Sequence, residues 1–134
     1  MNIKLLIITH GNLCEVLRDV AADIIGPDED VMVYGIYRNQ CINDIRSGLE
    51  SLISGILEEN AVLVLTDMFG GTPSNIAIPF IDNKNVEIVT GANLPMLVTA
   101  CSLKKRVQGV RELAEKIFSE GVKSIIDCRS RMKR

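Results

Sequence analysis

Short apolar runs alternate with amphipathic segments along the whole chain. Four of these runs are rich in Ile, Leu and Val and predict strands over residues 3–9, 31–37, 61–65 and 86–89. The third run, Ala61-Val62-Leu63-Val64-Leu65, is apolar at every position. Such a run is typical of a strand that is covered on both faces, at the centre of a parallel sheet.

Between these strands, apolar residues recur at intervals of three and four and predict helices. The first stripe is Leu13, Val16, Leu17, Val20 and Ile24; the second is Ile42, Ile45, Leu49, Leu52, Ile53 and Ile56; the last is Val107, Val110, Leu113, Ala114 and Ile117. Asn12 is the expected cap of the first helix, Thr72-Pro73 opens a third, and residues 95–103 form a short fourth. After the last helix we expect Gly121 to turn the chain into a fifth strand, residues 124–127.

This alternation predicts an α/β fold with a doubly wound, mostly parallel open sheet and helices on both faces. With 134 residues and 47% apolar content, the chain has the size and composition of a single domain spanning residues 1–134.

Composition and charge exclude several classes of function. A net charge of −2 with scattered Lys and Arg offers no basic face, so no nucleic acid is expected as a partner; the basic tail, residues 129–134, is expected to be a solvated end. The apolar runs are too short for direct membrane insertion, and without a signal-peptide pattern the expected location is cytoplasmic. Four widely spaced Cys and a single His argue against a metal site, and the cysteines are expected to be small buried residues.

Three loops at the carboxyl ends of predicted strands hold the unusual residues. They are residues 9–12, 66–75 and 90–95. If the first and third strands are neighbours, as in the flavodoxin-like order, the first two loops flank the topological switch point, where α/β sheets keep their chemistry. His10, the only histidine, would then lie within reach of Asp67.

These residues suggest a nucleophilic imidazole beside an anion cradle. A carboxylate that accepts from one ring nitrogen fixes the tautomer, leaves the other nitrogen as nucleophile and stabilises the cation formed on substitution. His10 and Asp67 are therefore the candidate catalytic residues. Glycines and a helix start supply converging N–H groups for an anion such as phosphate. The candidate phosphate-binding residues are Gly11, Gly70, Gly71, Thr72 and Ser74.

Other phosphate chemistries fit the sequence less well. The glycine loop has no Walker lysine, and no Gly-x-Gly-x-x-Gly follows the first strand. A response-regulator receiver needs an acidic pair after its first strand, where this chain has Thr9-His10. A histidine phosphomutase needs a second catalytic histidine.

Three motifs resemble those of one protein family. Ile8-Thr9-His10-Gly11, Thr66-Asp67-Met68-Phe69-Gly70-Gly71-Thr72-Pro73-Ser74-Asn75 and Gly91-Ala92-Asn93-Leu94-Pro95-Met96-Leu97 are similar to the signature loops of the mannose-type enzyme IIA domain of the bacterial phosphoenolpyruvate-dependent sugar phosphotransferase system. The resemblance covers essentially the whole chain in order and spacing. The related dihydroxyacetone-kinase phosphocarrier domain shares the histidine but lacks Gly-Gly-Thr-Pro-Ser-Asn.

The resemblance implies a phosphohistidine carrier that needs no cofactor or metal. His10 would accept a phosphoryl group from phospho-HPr and pass it to a separate enzyme IIB, with Asp67 orienting the imidazole. It also implies a homodimer in which the last strand pairs with the partner subunit, antiparallel to the rest of the sheet. A regulatory role, in which the phosphorylated module binds other proteins, rests on the same chemistry and stays open, as does the sugar.

Overall fold

Four parallel strands form the centre of the molecule. The computed structural model describes residues 1–132. The strands are β1 (Ile3–His10), β2 (Val31–Ile36), β3 (Ala61–Thr66) and β4 (Val86–Val89). Their order across the sheet is β2-β1-β3-β4, all parallel, so β1 and β3 are neighbours as the sequence predicts. All carboxyl ends of the strands therefore lie at one edge.

Helices cover both faces of this sheet. They are α1 (Leu13–Ile25), α2 (Ile42–Leu57), α3 (Thr72–Ala77), α4 (Leu94–Leu103), α5 (Val110–Lys123) and α6 (Cys128–Met132), with a 3-10 helix, Ile78–Asp82, directly after α3. The predicted α/β fold is confirmed. Within residues 1–132, no helix is both long and apolar enough to cross a membrane.

The two central strands contribute side chains to a separate core on each face. Leu5 and Ile7 pack in the core under α1, α4 and α5, whereas Leu6 and Ile8 pack in the core under α2 and α3. All four side chains are fully buried. Burying a side chain of this size contributes about 1.5–3 kcal/mol. A slip of β1 by one residue would therefore exchange its two faces and break both cores.

The face that helix α1 buries differs from the face that its apolar stripe predicts. Cys14 and Ala21 are buried against the sheet, with Leu17 packed beside them. Four apolar residues of the predicted stripe face solvent instead: Leu13, Val16, Val20 and Ile24. The helix prediction is confirmed, but the periodicity does not distinguish the buried face from an exposed apolar one.

The predicted antiparallel fifth strand does not form in this chain. Residues 125–127 have no regular secondary structure, and the chain then enters α6. Ile125 remains 77% exposed. A strand exists only when a neighbouring strand accepts its hydrogen bonds, and in the described chain this segment has no such neighbour.

Gly121 was expected to turn the chain, yet it lies inside α5. A Cβ at this position would lie 2.5 Å from Met96 Cγ. The glycine therefore permits α4 and α5 to approach each other closely. In the sequence, a glycine that packing requires looks the same as one that ends a helix.

Two expected helix starts also differ. The side chain of Asn12 makes no capping bond in the described structure; instead, Thr9 Oγ1 accepts the Cys14 N–H at 2.8 Å. Thr72 is the first residue of α3 rather than its cap, and Gly71 precedes it. Each helix still begins within one residue of the expected place.

The cysteines only partly match the expectation of small buried residues. Cys14 is buried and Cys101 is half-buried, but Cys41 and Cys128 are exposed, so the expectation is wrong for these two. Burial, together with the nearby Asp28 carboxylate, raises the pKa of the Cys101 thiol to about 11. The last two residues of the basic tail, Lys133 and Arg134, lie outside the described residues.

Candidate functional site

Strand register brings the two candidate catalytic residues together. In the parallel pair β1–β3, Ile8 lies opposite Thr66. The residues that follow therefore leave the sheet side by side at its carboxyl edge, on the two strands that flank the topological switch point. His10 is the last residue of β1, and Asp67 directly follows β3.

One carboxylate oxygen holds both the backbone and the ring of the histidine. Asp67 Oδ2 lies 2.8 Å from His10 Nδ1 and accepts the His10 backbone N–H at 2.9 Å. The other oxygen, Oδ1, accepts the Met68 N–H at 3.0 Å. The carboxylate is thus fixed from both sides, and it fixes the ring.

This contact selects the tautomer of the imidazole. An ionised carboxylate can only accept, so His10 Nδ1 carries the proton and Nε2 holds the lone pair in the neutral ring. Burial opposes ionisation of Asp67, but hydrogen bonds from the backbone and ring of His10 and from the Met68 N–H outweigh it, so the pKa of Asp67 is lowered. Asp67 is therefore an anion at neutral pH.

The imidazole is only partly exposed. The His10 side chain is 50% exposed, whereas that of Asp67 is 14% exposed. A Cβ built on Gly71 would lie 2.9 Å from His10 Cε1, the carbon between the two ring nitrogens. Any side chain at this position would press on the ring, so the glycine lets the loop backbone lie against the histidine.

The glycine loop is braced from within. Gly70 has a φ of +84° and its N–H donates to Ser74 Oγ at 3.0 Å. The Ser74 hydroxyl donates in turn to the Gly71 carbonyl, and Asn75 Nδ2 donates to the Gly70 carbonyl. Ser74 is fully buried, so its hydroxyl stabilises the turn from the inside.

The other candidate phosphate-binding residues border a cleft beside the histidine. His10, Gly11 and Thr72 line this cleft, whose volume is about 460 Å³. Gly11 has a φ of +56° and donates its N–H to the Ile36 carbonyl at 2.7 Å. The structure therefore places Thr72 and Gly11 at the cleft, Gly71 against the ring, and Gly70 and Ser74 in the brace.

Some residues of the neighbouring loops are exposed beside the site, and others make hydrogen bonds that hold the loops in place. Met68 and Phe69 are exposed, at 57% and 75%, and so lie on the surface beside the site. In the third loop, Ala92 donates its N–H to the Thr66 carbonyl at 2.9 Å. Asn93 caps α4 through the Met96 N–H, and its amide points to the end of α5. The hydrogen bonds of the third loop thus connect it to the end of β3 and to helices α4 and α5.

Sequence reasoning missed three residues that shape the site. Thr9 caps α1 from within the strand. Asn75 braces the glycine loop. A Cβ at Gly35 would overlap the carbonyl oxygen of Gly11. Only Gly35 could have been recognised from the sequence, because a glycine inside a strand often marks a place where another backbone segment approaches closely.

Comparisons with known proteins bear on this site. The family model described as the PTS system fructose IIA component (EIIA-man) matches residues 4–126. The chain belongs to this EIIA family. The match spans all three loops and supports a phosphocarrier role in a sugar phosphotransferase system. Among residues 1–132, no group of three or more His, Cys, Asp or Glu is placed to hold a metal ion.

Individual EIIA proteins agree with the family assignment. The chain is 29% identical over 106 residues to a fructose-specific EIIA component of Bacillus subtilis, covering 78% of this chain and 73% of that protein. It is 28% identical over 129 residues to a mannose-specific EIIAB component of Escherichia coli, where the match spans 93% of this chain and 40% of that longer protein.

A solved structure shows the same fold. It is a PTS IIA protein associated with the fucose utilization operon of Streptococcus pneumoniae, with a TM-score of 0.85 and 27% identity. The alignment covers 99% of this chain and 98% of that one.

The contact between Gly71 and the ring gives a test of the site geometry. Gly71→Ala should tilt the imidazole and weaken its bond to Asp67, because the new Cβ would lie 2.9 Å from Cε1. We expect the Nδ1–H signal of His10 in nitrogen-edited NMR to shift or broaden. Gly55→Ala is the matched control, since a Cβ there meets nothing within 4 Å. An unchanged ring signal in Gly71→Ala would contradict the geometry.

Proposed function

We propose that this chain is a phosphohistidine carrier that accepts a phosphoryl group on His10 Nε2 from phospho-HPr and passes it to a separate enzyme IIB of a mannose-family sugar uptake system. The observation that carries the proposal is the bond from His10 Nδ1 to Asp67 Oδ2 at 2.8 Å. This bond keeps the proton on Nδ1 and leaves Nε2 as the nucleophile of a half-exposed ring. Membership of the EIIA family supports the same chemistry.

The transfer step needs no proton to move at this site. The lone pair of His10 Nε2 attacks phosphorus while the N–P bond of the donor breaks, and that electron pair stays on the donor's imidazole nitrogen. His10 gains positive charge as the new bond forms, and the Asp67 carboxylate stabilises it through Nδ1–H. When the group passes to enzyme IIB, His10 is the leaving group: a nucleophile of the acceptor attacks phosphorus, the bond from phosphorus to His10 Nε2 breaks, and its electron pair returns to Nε2.

The phosphoryl group brings roughly two negative charges at neutral pH. We propose that Gly11 and Thr72 border the phosphoryl oxygens at the cleft and that Gly71 borders them against the ring. Gly70 and Ser74 hold the turn that positions the loop. The Gly11 N–H already donates to the Ile36 carbonyl, so the Thr72 hydroxyl is the donor proposed for these oxygens. A preorganised donor lowers the energy of a charged transition state because it needs no reorganisation during reaction.

We further propose that two copies associate through the segment at residues 124–127. β4 is an edge strand, and an apolar groove of about 400 Å³ runs beside it. Phe118 borders this groove from α5, and Ile78 and Ile81 border it from the 3-10 helix. Successive residues of a strand point to opposite faces, so Ile125 and Ile126 of a second copy would cover both borders if this segment paired with β4.

The first prediction for the carrier concerns His10 itself. Incubation with enzyme I, HPr and phosphoenolpyruvate should place one phosphoryl group per chain, seen by mass spectrometry, in an adduct that is labile in acid and stable in base. His10→Ala should carry none. A phosphorylated His10→Ala chain, or an acid-stable adduct, would overturn the proposal. Transfer from HPr without onward transfer to any enzyme IIB would favour the regulatory role.

Asp67 should control the rate rather than the fold. Asp67→Asn cannot offset the imidazolium charge and permits the wrong tautomer, so we expect transfer from phospho-HPr to slow about 100-fold. Rapid-quench kinetics measures this rate. Transfer at the wild-type rate would exclude the proposed role.

Asp67 should also stabilise the native fold in a pH-dependent manner. The pKa of Asp67 is lowered in the folded protein. Asp67 therefore stabilises the fold at pH values above its ordinary pKa, and this stabilisation is lost as the pH falls through the folded pKa. Denaturant unfolding at several pH values should therefore show wild type and Asp67→Asn converging in acid.

Dimer formation has its own test. Deletion of residues 124–134 leaves α5 complete, since that helix ends at Lys123. Light scattering should show a dimer for the full chain and a monomer for the truncated one. Deletion of residues 129–134 alone should keep the dimer. A dimer that survives the longer deletion would locate the interface elsewhere.

A further inference from the structure

The cleft beside His10 contains an arginine that none of the three motifs includes. Besides His10, Gly11 and Thr72, the cleft is lined by Arg38 and its neighbours from the segment after β2. Among the described residues that line it, Arg38 is the only Lys or Arg, and none is Asp or Glu. The cleft therefore has one positive side chain and no lining carboxylate to neutralise it.

Strand pairing places Arg38 next to the histidine. In the parallel pair β1–β2, His10 lies opposite Ile36, and the Ile36 carbonyl accepts the Gly11 N–H at 2.7 Å. Arg38 follows two residues later. The turn that carries it is held by Gln40, whose Oε1 accepts the Tyr37 N–H at 2.8 Å and whose own N–H donates to the Tyr37 carbonyl. The position of Arg38 is thus set by the sheet and by a hydrogen-bonded turn.

The guanidinium has no ion-pair partner in the described chain. Within residues 1–132, no carboxylate lies within salt-bridge distance of Arg38, whereas four other cations each have at least one: Lys4, Arg18, Lys104 and Arg111. An unpaired arginine on a surface is ordinary. An arginine that lines the same cleft as the nucleophile is placed to bind an incoming anion.

A cation at this position would offset the charge that the transfer brings. The proposed phosphoryl group adds roughly two negative charges close to the Asp67 carboxylate, in a chain whose net charge is already −2. Backbone N–H groups and the Thr72 hydroxyl carry only partial charges. A guanidinium supplies a full charge and a planar fork of donors that matches two phosphate oxygens.

We propose that Arg38 binds the phosphoryl oxygens as the group moves onto and off His10. This inference rests on the proposed function. Arg38 keeps its protons throughout: the bond from His10 Nε2 to phosphorus forms, the N–P bond of the donor breaks with its electron pair left on the donor nitrogen, and the guanidinium offsets the charge of the oxygens. It acts on both the forward and the return step.

The test compares two donors that share only the phosphoryl group. Phospho-HPr is a protein, whereas phosphoramidate is a small molecule without a protein surface. Arg38→Gln should slow phosphorylation of His10 by both donors, about 10-fold, and Arg38→Lys should recover part of the rate. Arg46→Gln is the matched control: Arg46 is also exposed, and it borders a different cleft, formed by α2, α3 and the 3-10 helix.

Phosphorus NMR gives a second readout that a purely structural role would not change. A nearby cation favours the dianionic phosphoryl group. The midpoint of phosphoryl titration on His10 should therefore lie at higher pH in Arg38→Gln than in wild type, with Arg46→Gln unchanged. Matching thermal unfolding curves will establish that the variants are folded.

The outcomes separate this inference from the proposed function. If wild type takes no phosphoryl group from phospho-HPr, both fail. If wild type is phosphorylated and Arg38→Gln reacts equally fast with both donors, the role of Arg38 is overturned and the carrier function stands. If Arg38→Gln slows only the reaction with phospho-HPr, Arg38 contacts the donor protein and not the phosphoryl group, which also overturns the inference.

Discussion

The parallel pairing of β1 with β3 is the constraint on which the site depends. Ile8 lies opposite Thr66, and this register places His10 and Asp67 where one carboxylate oxygen reaches both the ring and the backbone of the histidine. A shift by one residue would move the partners about 3.3 Å apart along the strands. The two cores hold the register because each face of β1 is buried against a different set of helices. Core packing therefore determines the chemistry at the edge of the sheet.

Much of this arrangement could be predicted from the sequence, because its causes are local or periodic. Continuous apolar runs identify the strands, and loops rich in Gly, Thr and Asn after them identify the functional edge. The contact between His10 and Asp67 followed from assuming that the first and third strands are neighbours, which the structure confirms. The EIIA family match agrees with the motifs on which the resemblance rested.

Most of the features that escaped prediction depend on partners distant in sequence. Gly121 lies inside a helix at a point where Met96 leaves no room for a side chain, and nothing near Gly121 in the sequence indicates this. Thr9 caps α1 although Asn12 has the expected sequence position. Residues 124–127 carry the composition of a strand, but a strand also needs a neighbour, which a single sequence does not display. Arg38 lies outside all three motifs and becomes notable only when β2 pairs with β1.

The occupation of His10 Nδ1 by Asp67 has a kinetic consequence. Gly71 lies against one edge of the imidazole and Asp67 occupies Nδ1, so a single nitrogen is open to other molecules. In the proposed relay, donor and acceptor must reach that nitrogen along the same path, and the two cannot be bound at the same ring together. Each cycle then includes the departure of one protein before the arrival of the next. Since departure slows as affinity rises, a carrier with one open nitrogen works fastest with partners that bind weakly and leave quickly.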